Sequence, residues 1–468
     1  MIFKPEFIKL DSGFFIAEHL FGERMKRTVL FTFFLLWHSV LFAQQQSENM
    51  HLLSTWRDAD HSLTYNDIWG YAANGREYAI IGSRFATYFI DVTDPFQPKL
   101  ISRQQGRGEG QRDFKTYGHY AYGVADGGTK DHSLQIFDLQ YLPEKVVKVY
   151  DSDRHTSSSH TLFIENGKLY LVSNTRGNEL RAMDVFSLAD PVNPEFMGTL
   201  KDSTFWRSHA LFVKNDTAYL SAAWEGLAVF DVKNAANIKF ISSLRNYPGA
   251  GYNHSAWLSE DSKKLIVTDE LPDGQPVKLF DFSNPAAPLY RTSFESNRGA
   301  TPHNCFIVGN DLAVVAYYKD GLQLFDISDE NNIRRVGYFD TFPDNGNSYE
   351  NGAWDGNWGV YPFLPSGNLI ASDMKYGLFV LSNPTRKAHN NFTIYPNPGT
   401  SNVNFRLKNP VKNFEITMYD ALGRKVKSVQ RAQVLEASFD VSELARGFYI
   451  VKATGENFNE TSRFLIQK

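Results

Sequence analysis

Leu227-Ala-Val-Phe-Asp231 decides the fold, because the chain keeps returning to the same phrase. An apolar run ends in Asp, and a turn rich in Pro or Asn follows. Earlier copies are Tyr88-Phe-Ile-Asp91, Leu134-Gln-Ile-Phe-Asp138 and Arg181-Ala-Met-Asp184. Later ones are Val277-Lys-Leu-Phe-Asp281 and Leu322-Gln-Leu-Phe-Asp326, with a degenerate copy at Gly377-Leu-Phe-Val-Leu381. Successive Asp positions lie 47, 46, 47, 50 and 45 residues apart. A period of that size, built from short strands and turns, points to propeller blades. The expected fold class is all-β, a seven-bladed β-propeller over residues 50–387 followed by a small Ig-like β-sandwich over residues 392–468.

Each repeat parses into four strands. In the third, His160-Thr-Leu-Phe-Ile164 precedes the turn Glu165-Asn-Gly167, and Lys168-Leu-Tyr-Leu-Val-Ser173 returns. Asn-Gly supplies the positive φ angles that a two-residue hairpin needs. Comparable turns are expected at Asn74-Gly75, Asn215-Asp216, Glu260-Asp261 and Gly309-Asn310. A Pro-x-x-Pro turn recurs at Asp94–Pro98, Asp190–Pro194 and Asn284–Pro288, where Pro fixes φ and stops strand pairing. The repeated Asp before each turn reads as an acceptor for turn amides. The last repeat has candidate strands near Gly352–Tyr361, Asn368–Ser372 and Gly377–Leu381 but no fourth. Residues 50–57 resemble the fourth strands elsewhere and are expected to complete that blade, removing an exposed sheet edge.

Composition bounds the function. The chain has 468 residues, 42% hydrophobic and 21% charged, with net charge −4 and a pI near 6.3. No basic surface for nucleic acid is implied, and no mature segment is long and apolar enough to span a bilayer. Residues 25–43 read as a signal peptide: Met25-Lys-Arg27 is basic, Val29 to Phe42 is largely apolar, and Ala43 precedes Gln44. Residues 1–24 carry Asp11, Glu18 and Glu23 and read as an over-long gene start, with translation beginning at Met25. The single cysteine, Cys305, lies in an apolar strand and reads as a buried thiol.

Two resemblances follow from these motifs. Repeats of the form apolar-apolar-Phe-Asp-x-Ser/Thr-Asn/Asp-Pro resemble the LVIVD repeat. The arrangement over residues 50–387, between a signal and a sorting module, resembles the choice-of-anchor B family, which implies architecture and location but no reaction. Tyr395-Pro-Asn-Pro, Tyr419-Asp-x-Leu-Gly-Arg424, Leu444-x-x-Gly447-x-Tyr449 and Arg463-Phe464 together are similar to the type A C-terminal sorting domain of the Bacteroidetes type IX secretion system. This second resemblance implies export across the outer membrane, partnership with the type IX machinery, and an extracellular or outer-membrane-surface location.

One further pattern carries chemistry. His160-Thr-Leu-Phe163, His209-Ala-Leu-Phe212, His254-Ser-Ala-Trp257 and His303-Asn-Cys-Phe306 begin four consecutive first strands. Asp67, Asp113 and Asn351 hold the equivalent places in other repeats. First strands of a propeller face its central channel, so these side chains are ligand-binding candidates. Neutral imidazoles with carboxylates suit a divalent metal such as Zn²⁺, or Ca²⁺ where carboxylates dominate. The competing reading is a structural tie repeated once per blade. Long polar loops at Gly106–Asp113, Asp151–Ser159, Asn246–Asn253, Glu295–Pro302 and Phe342–Glu350 enter these strands. The Gly-rich stretch lacks the Lys-Ser/Thr of a phosphate loop, and neither Gly-x-Ser-x-Gly nor His-Glu-x-x-His occurs. The leading functional expectation is a binding protein for an extracellular protein or glycan. The alternative is a metal-dependent extracellular hydrolase or lyase using the His and Asp ring.

Overall fold

The computed structural model describes residues 47–468 except 107, 109, 128–132, 346–348, 350–353, 384–391, 396–400, 412, 421–422, 432–433, 456–457 and 467–468. The expected signal peptide and gene-start segment lie outside the described residues. Among the described residues the only helical element is the 3₁₀ turn Pro343–Asn345, and no helix is long and apolar enough to cross a membrane.

The rest is antiparallel sheet. Tyr65–Ala73, Arg76–Ser83, Ala86–Asp91 and Lys99–Gln105 form the first sheet in chain order. Arg112–Tyr117, Tyr120–Ala125, Leu134–Asp138 and Val147–Ser152 form the next, and Thr161–Glu165, Lys168–Arg176, Glu179–Ser187 and Glu195–Thr199 the third. Sheets beginning at Ala210–Lys214, Tyr252–Leu258 and Cys305–Val308 repeat the plan. Through the first six sheets each first strand lies beside the first strand of the following sheet, and Leu312–Tyr317, the second strand of the sixth sheet, lies beside Asn357–Tyr361. Asn357–Tyr361, which opens the last of these sheets, returns beside Tyr65–Ala73, so the circuit closes.

Closure uses the N-terminal segment. Asn357–Tyr361, Leu369–Asp373 and Gly377–Leu381 supply three strands, and Leu52–Trp56 is the fourth. Its register sets Leu52 against Leu381, Ser54 against Val380 and Trp56 against Leu378. Ser382 N–H donates to His51 O and His51 N–H to Ser382 Oγ, both at 2.9 Å. One further contact was not expected. Ser47–Glu48 pairs with Arg334–Phe339 of the preceding sheet, and between the two pairings Met50 is buried against Phe339, Phe379 and Leu381. The N-terminal segment therefore stitches two sheets together.

Local chemistry explains the repeat. Asp91, Asp138, Asp231, Asp281 and Asp326 each accept, through Oδ1, the backbone N–H two residues on, at 2.9–3.0 Å. The next turn repeats the device: Asp94, Asp190, Asn234, Asn284 and Asp329 accept the N–H two residues later. These Asx turns set the corner between third and fourth strands. Asp184 departs from the pattern. It is fully buried and accepts from Asn174 Nδ2 and Arg176 Nε.

Two expected hairpins differ. Positive φ at Asn74 and Gly75, Asn166 and Gly167, and Asn215 and Asp216 gives the two-residue turns read from sequence. At Glu260-Asp261, however, Leu258 pairs with Leu265 and the positive φ falls at Ser262, because Ser259 Oγ gathers the N–H groups of Lys263 and Lys264 into a wider loop. At Gly309-Asn310 the loop has three residues, and Gly309 takes the positive φ.

The C-terminal residues form two sheets. Phe392–Tyr395, Asn402–Val411 and Val434–Asp440 make one; Lys425–Arg431, Phe414–Tyr419, Gly447–Gly455 and Phe458–Ile466 make the other. Both contribute to one apolar core, with Val403 and Phe405 from one sheet meeting Ile416, Val451 and Phe464 from the other. Within the Tyr419-Asp-x-Leu-Gly-Arg motif, Asp420 accepts from Arg424 N (2.9 Å) and Nε (2.7 Å). The Tyr449 hydroxyl donates to Ala445 O at 2.8 Å and anchors the start of its strand.

Deleting residues 47–56 should strip the edge of Gly377–Leu381 and unpack Trp56 from Tyr88, whose rings lie 5.1 Å apart. The melting temperature of the truncated chain should fall by more than about 10 °C. An unchanged calorimetric melt would contradict a stabilising closure.

Candidate functional site

The four histidines converge. His160 and His209 stand just before the first strands Thr161–Glu165 and Ala210–Lys214; His254 lies inside Tyr252–Leu258, and His303 sits two residues before Cys305–Val308. Ring centroids are 4.3 Å apart between His160 and His209, 4.0 Å between His209 and His254, and 4.1 Å between His254 and His303. The imidazoles thus form a continuous arc along one side of the axis. The aromatic residue three positions after each His builds a second layer. Trp257 contacts Phe212 (4.3 Å), Phe306 (4.7 Å) and Phe163 (6.3 Å). Phe163 and Trp257 come from sheets that are not neighbours, so these rings meet across the axis and pack beneath the histidines.

A cavity of about 370 Å³ lies among these groups. The histidine arc lines one part of it, and Asp67, Asp113, Lys115 and Trp69 line another. Trp354, about half exposed, lies at its margin. Asn351 lies outside the described residues.

Several lining groups reach the next sheet. Asp67 Oδ2 accepts Phe114 N–H (3.4 Å), and Asp113 Oδ2 accepts Leu162 N–H (2.7 Å). Thr161 Oγ1 donates to His209 O (3.0 Å), and Ser255 Oγ to His303 O (3.1 Å). His303 Nδ1 bonds the carbonyl of Trp358 in the last sheet. Asp113 also pairs with Lys115 Nζ at 2.6 Å. Among the expected site residues, then, Asp67, Asp113 and His303 spend polar atoms on inter-sheet ties.

His209 spends one, through its Nε2 contact with His160 Nε2 of the preceding sheet (3.0 Å), and His254 spends none. His209 Nδ1 and both ring nitrogens of His254 are buried and make no hydrogen bond. Sequence reasoning missed their carboxylate neighbour. Glu270, near the end of Lys264–Leu271, brings an oxygen to within 4.8 Å of ligand atoms on both histidines. Its Oε1 accepts from the Tyr318 hydroxyl at 2.7 Å. Glu270 sits in the run Leu265-Ile-Val-Thr-Asp-Glu-Leu271, where two adjacent acids close an apolar strand. That interruption was the available signal. Asp126 was missed too: its Oδ2 lies 2.6 Å from His160 Nδ1.

Burial sets the electrostatics. It drives His209 and His254 well below the usual imidazole range, aided by the neighbouring imidazoles, and pushes His303 down to about 3. Burial raises the Glu270 carboxyl above its ordinary value, and holds Asp67 well above the carboxylate range with help from the Asp113 charge. These three imidazoles are therefore neutral at neutral pH, the state in which a ring nitrogen offers a lone pair. Cys305 is buried beside Ser255 Oγ, and burial pushes its thiol up to about 12, which fits an inert packing role.

Residues 393–467 match the family described as secretion system C-terminal sorting domain. Such a domain marks its chain for type IX export, to the cell surface or the extracellular space. No curated protein is detectably similar in sequence. Among solved structures, the WD40 repeats of RRP9 align with TM-score 0.49 and 11% identity, covering 72% of this chain and 99% of that one. The WD40 β-propeller domain of Doa1 aligns with TM-score 0.47 and 10% identity, over 71% and 97%. A Lactobacillus plantarum protein aligns with TM-score 0.47 and 10% identity, over 85% and 100%.

Asp113→Ala removes an acceptor that holds both Leu162 N–H and Lys115. Urea unfolding should show a loss of about 1–3 kcal/mol with an unchanged slope. Full stability in this variant would mean that Asp113 is not a tie between sheets.

Proposed function

We propose that this chain is a secreted or surface-attached seven-bladed β-propeller that binds an extracellular protein or glycan at the cavity lined by the histidine arc. The observation that carries the reading is the coupling of two parts in one chain. A sorting domain occupies residues 393–467, and a closed circuit of four-stranded sheets with a lined cavity precedes it. A rigid ring presenting loops around a cavity is a binding scaffold. The half-exposed Trp354 at that cavity offers a flat face for a ligand to stack on.

The finer assignments belong to the same reading. Residues 50–387 are the propeller, of the LVIVD-repeat, choice-of-anchor B type, and residues 392–468 are an Ig-like sorting module. Residues 25–43 are the signal peptide, and translation starts at Met25. The signal delivers the chain to the periplasm, and the sorting module engages the type IX machinery. The hydrolase or lyase alternative has one observation in its favour, the meeting of His209, His254 and Glu270.

Two measurements in a type IX-competent bacterium test the proposal. The whole chain should reach the cell surface or the medium, while a chain ending at residue 391 should stay inside the outer membrane. Equal export of both would contradict the role of the sorting domain. Purified mature chain should then capture a surface polysaccharide or exoprotein of the producing cells, and Trp354→Ala should weaken capture. Equal capture by both proteins would rule out the cavity as the binding site.

A further inference from the structure

We propose that His209, His254 and Glu270 hold one divalent transition-metal ion, with zinc the ion best suited, at the histidine arc. The inference deepens the binding reading above by giving its cavity a metal-anchored wall.

Hydrogen bonding narrows which lone pairs are available. His160 Nδ1 faces the Asp126 carboxylate at 2.6 Å and donates to it. His160 Nε2 lies 3.0 Å from His209 Nε2, and one of these two nitrogens carries the proton of that contact. A neutral His209 has a lone pair on one ring nitrogen, and its Nδ1 is buried. His254 is 1% exposed and has no hydrogen bond at either nitrogen, so one of the two also offers an unused lone pair. Glu270 has one oxygen tied to the Tyr318 hydroxyl, which orients the carboxylate. Asp126–His160 and Tyr318 thus act as outer partners that aim the ligands.

Buried nitrogens without partners need an explanation in a well-packed protein. A cation would take one nitrogen from each histidine and one carboxylate oxygen, ligand atoms that lie within 4.8 Å of one another. In a tetrahedral zinc site, bonds of about 2.1 Å place donors about 3.4 Å apart, so side-chain rotations of about 1 Å close the set. Two imidazoles and one carboxylate suit zinc and its neighbours, whereas calcium takes oxygen donors. Three protein ligands leave a coordination position free. His303 is not in the set, because its Nδ1 is spent on Trp358 O.

The test uses the purified mature chain, stripped with chelator and titrated with Zn²⁺, Co²⁺ and Ca²⁺. We expect one equivalent of zinc, a raised melting temperature on binding, and visible Co²⁺ bands typical of imidazole ligation. Calcium should give none of these effects. Glu270→Gln keeps the shape and an acceptor for Tyr318, and should weaken zinc by more than about 10-fold. His254→Phe should abolish site binding. Melting curves without metal establish that each variant folds. Absence of zinc binding in the folded parent chain overturns the proposal, and so does unchanged affinity in folded Glu270→Gln and His254→Phe. Both results leave export and ligand capture untouched, so failure of the metal site is distinguishable from failure of the binding reading.

Discussion

The pairing of Leu52–Trp56 with Gly377–Leu381 is the constraint on which the rest depends. A circuit of sheets is stable only if it has no loose seam, since an open seam exposes a strand edge and unpacks two apolar faces. Here the seam is sealed by residues that begin the described chain and residues from its far side. The entropy of joining such distant segments grows only slowly with the length between them. Many contacts share that cost. Trp56 packs on Tyr88 of the first sheet, Met50 is buried between Phe339 and Phe379, and Ser47–Glu48 extends the seal to the preceding sheet. The cavity inherits its geometry from this seal. Trp69 of the first sheet, which lines the cavity, packs on Tyr361 of the last, with ring centroids 4.8 Å apart.

Much of the fold was legible because one local device repeats. An Asp that accepts the amide two residues on, followed by a second Asx turn, is written into the chain at regular spacing. Its meaning is local except at Asp184, where Asn174 and Arg176 take the carboxylate instead. The missing fourth strand of the last sheet was legible for the same reason, as a gap in a regular pattern. Turns at Glu260-Asp261 and Gly309-Asn310 were misread because Ser259 gathers amides in one case and a third residue enters the loop in the other. The pairing of Ser47–Glu48 is too short to leave any periodicity.

The site was half legible. His-x-x-aromatic at the start of four first strands does place imidazoles in one layer and rings in another. The pattern does not say which imidazoles are already committed. His303 has the same sequence context as His254, yet one bonds a carbonyl and the other has no partner, because their neighbouring sheets differ. Glu270 and Asp126 come from the ends of second strands, and only tertiary structure brings them to the arc. Sequence spacing within one strand cannot report a group delivered by another. The sorting domain is the opposite case: its motifs are contiguous, and residues 393–467 match as a unit.

The most direct test of the account is a cross-link across the seam. Ser54 and Val380 face each other in the register, whereas Ser54 and Leu378 do not. In the chain carrying Cys305→Ser, the pair Ser54→Cys with Val380→Cys should oxidise to an internal disulfide in the folded protein, and Ser54→Cys with Leu378→Cys should not. Failure of the first pair to close, or equal closure of both, would contradict the sealed ring.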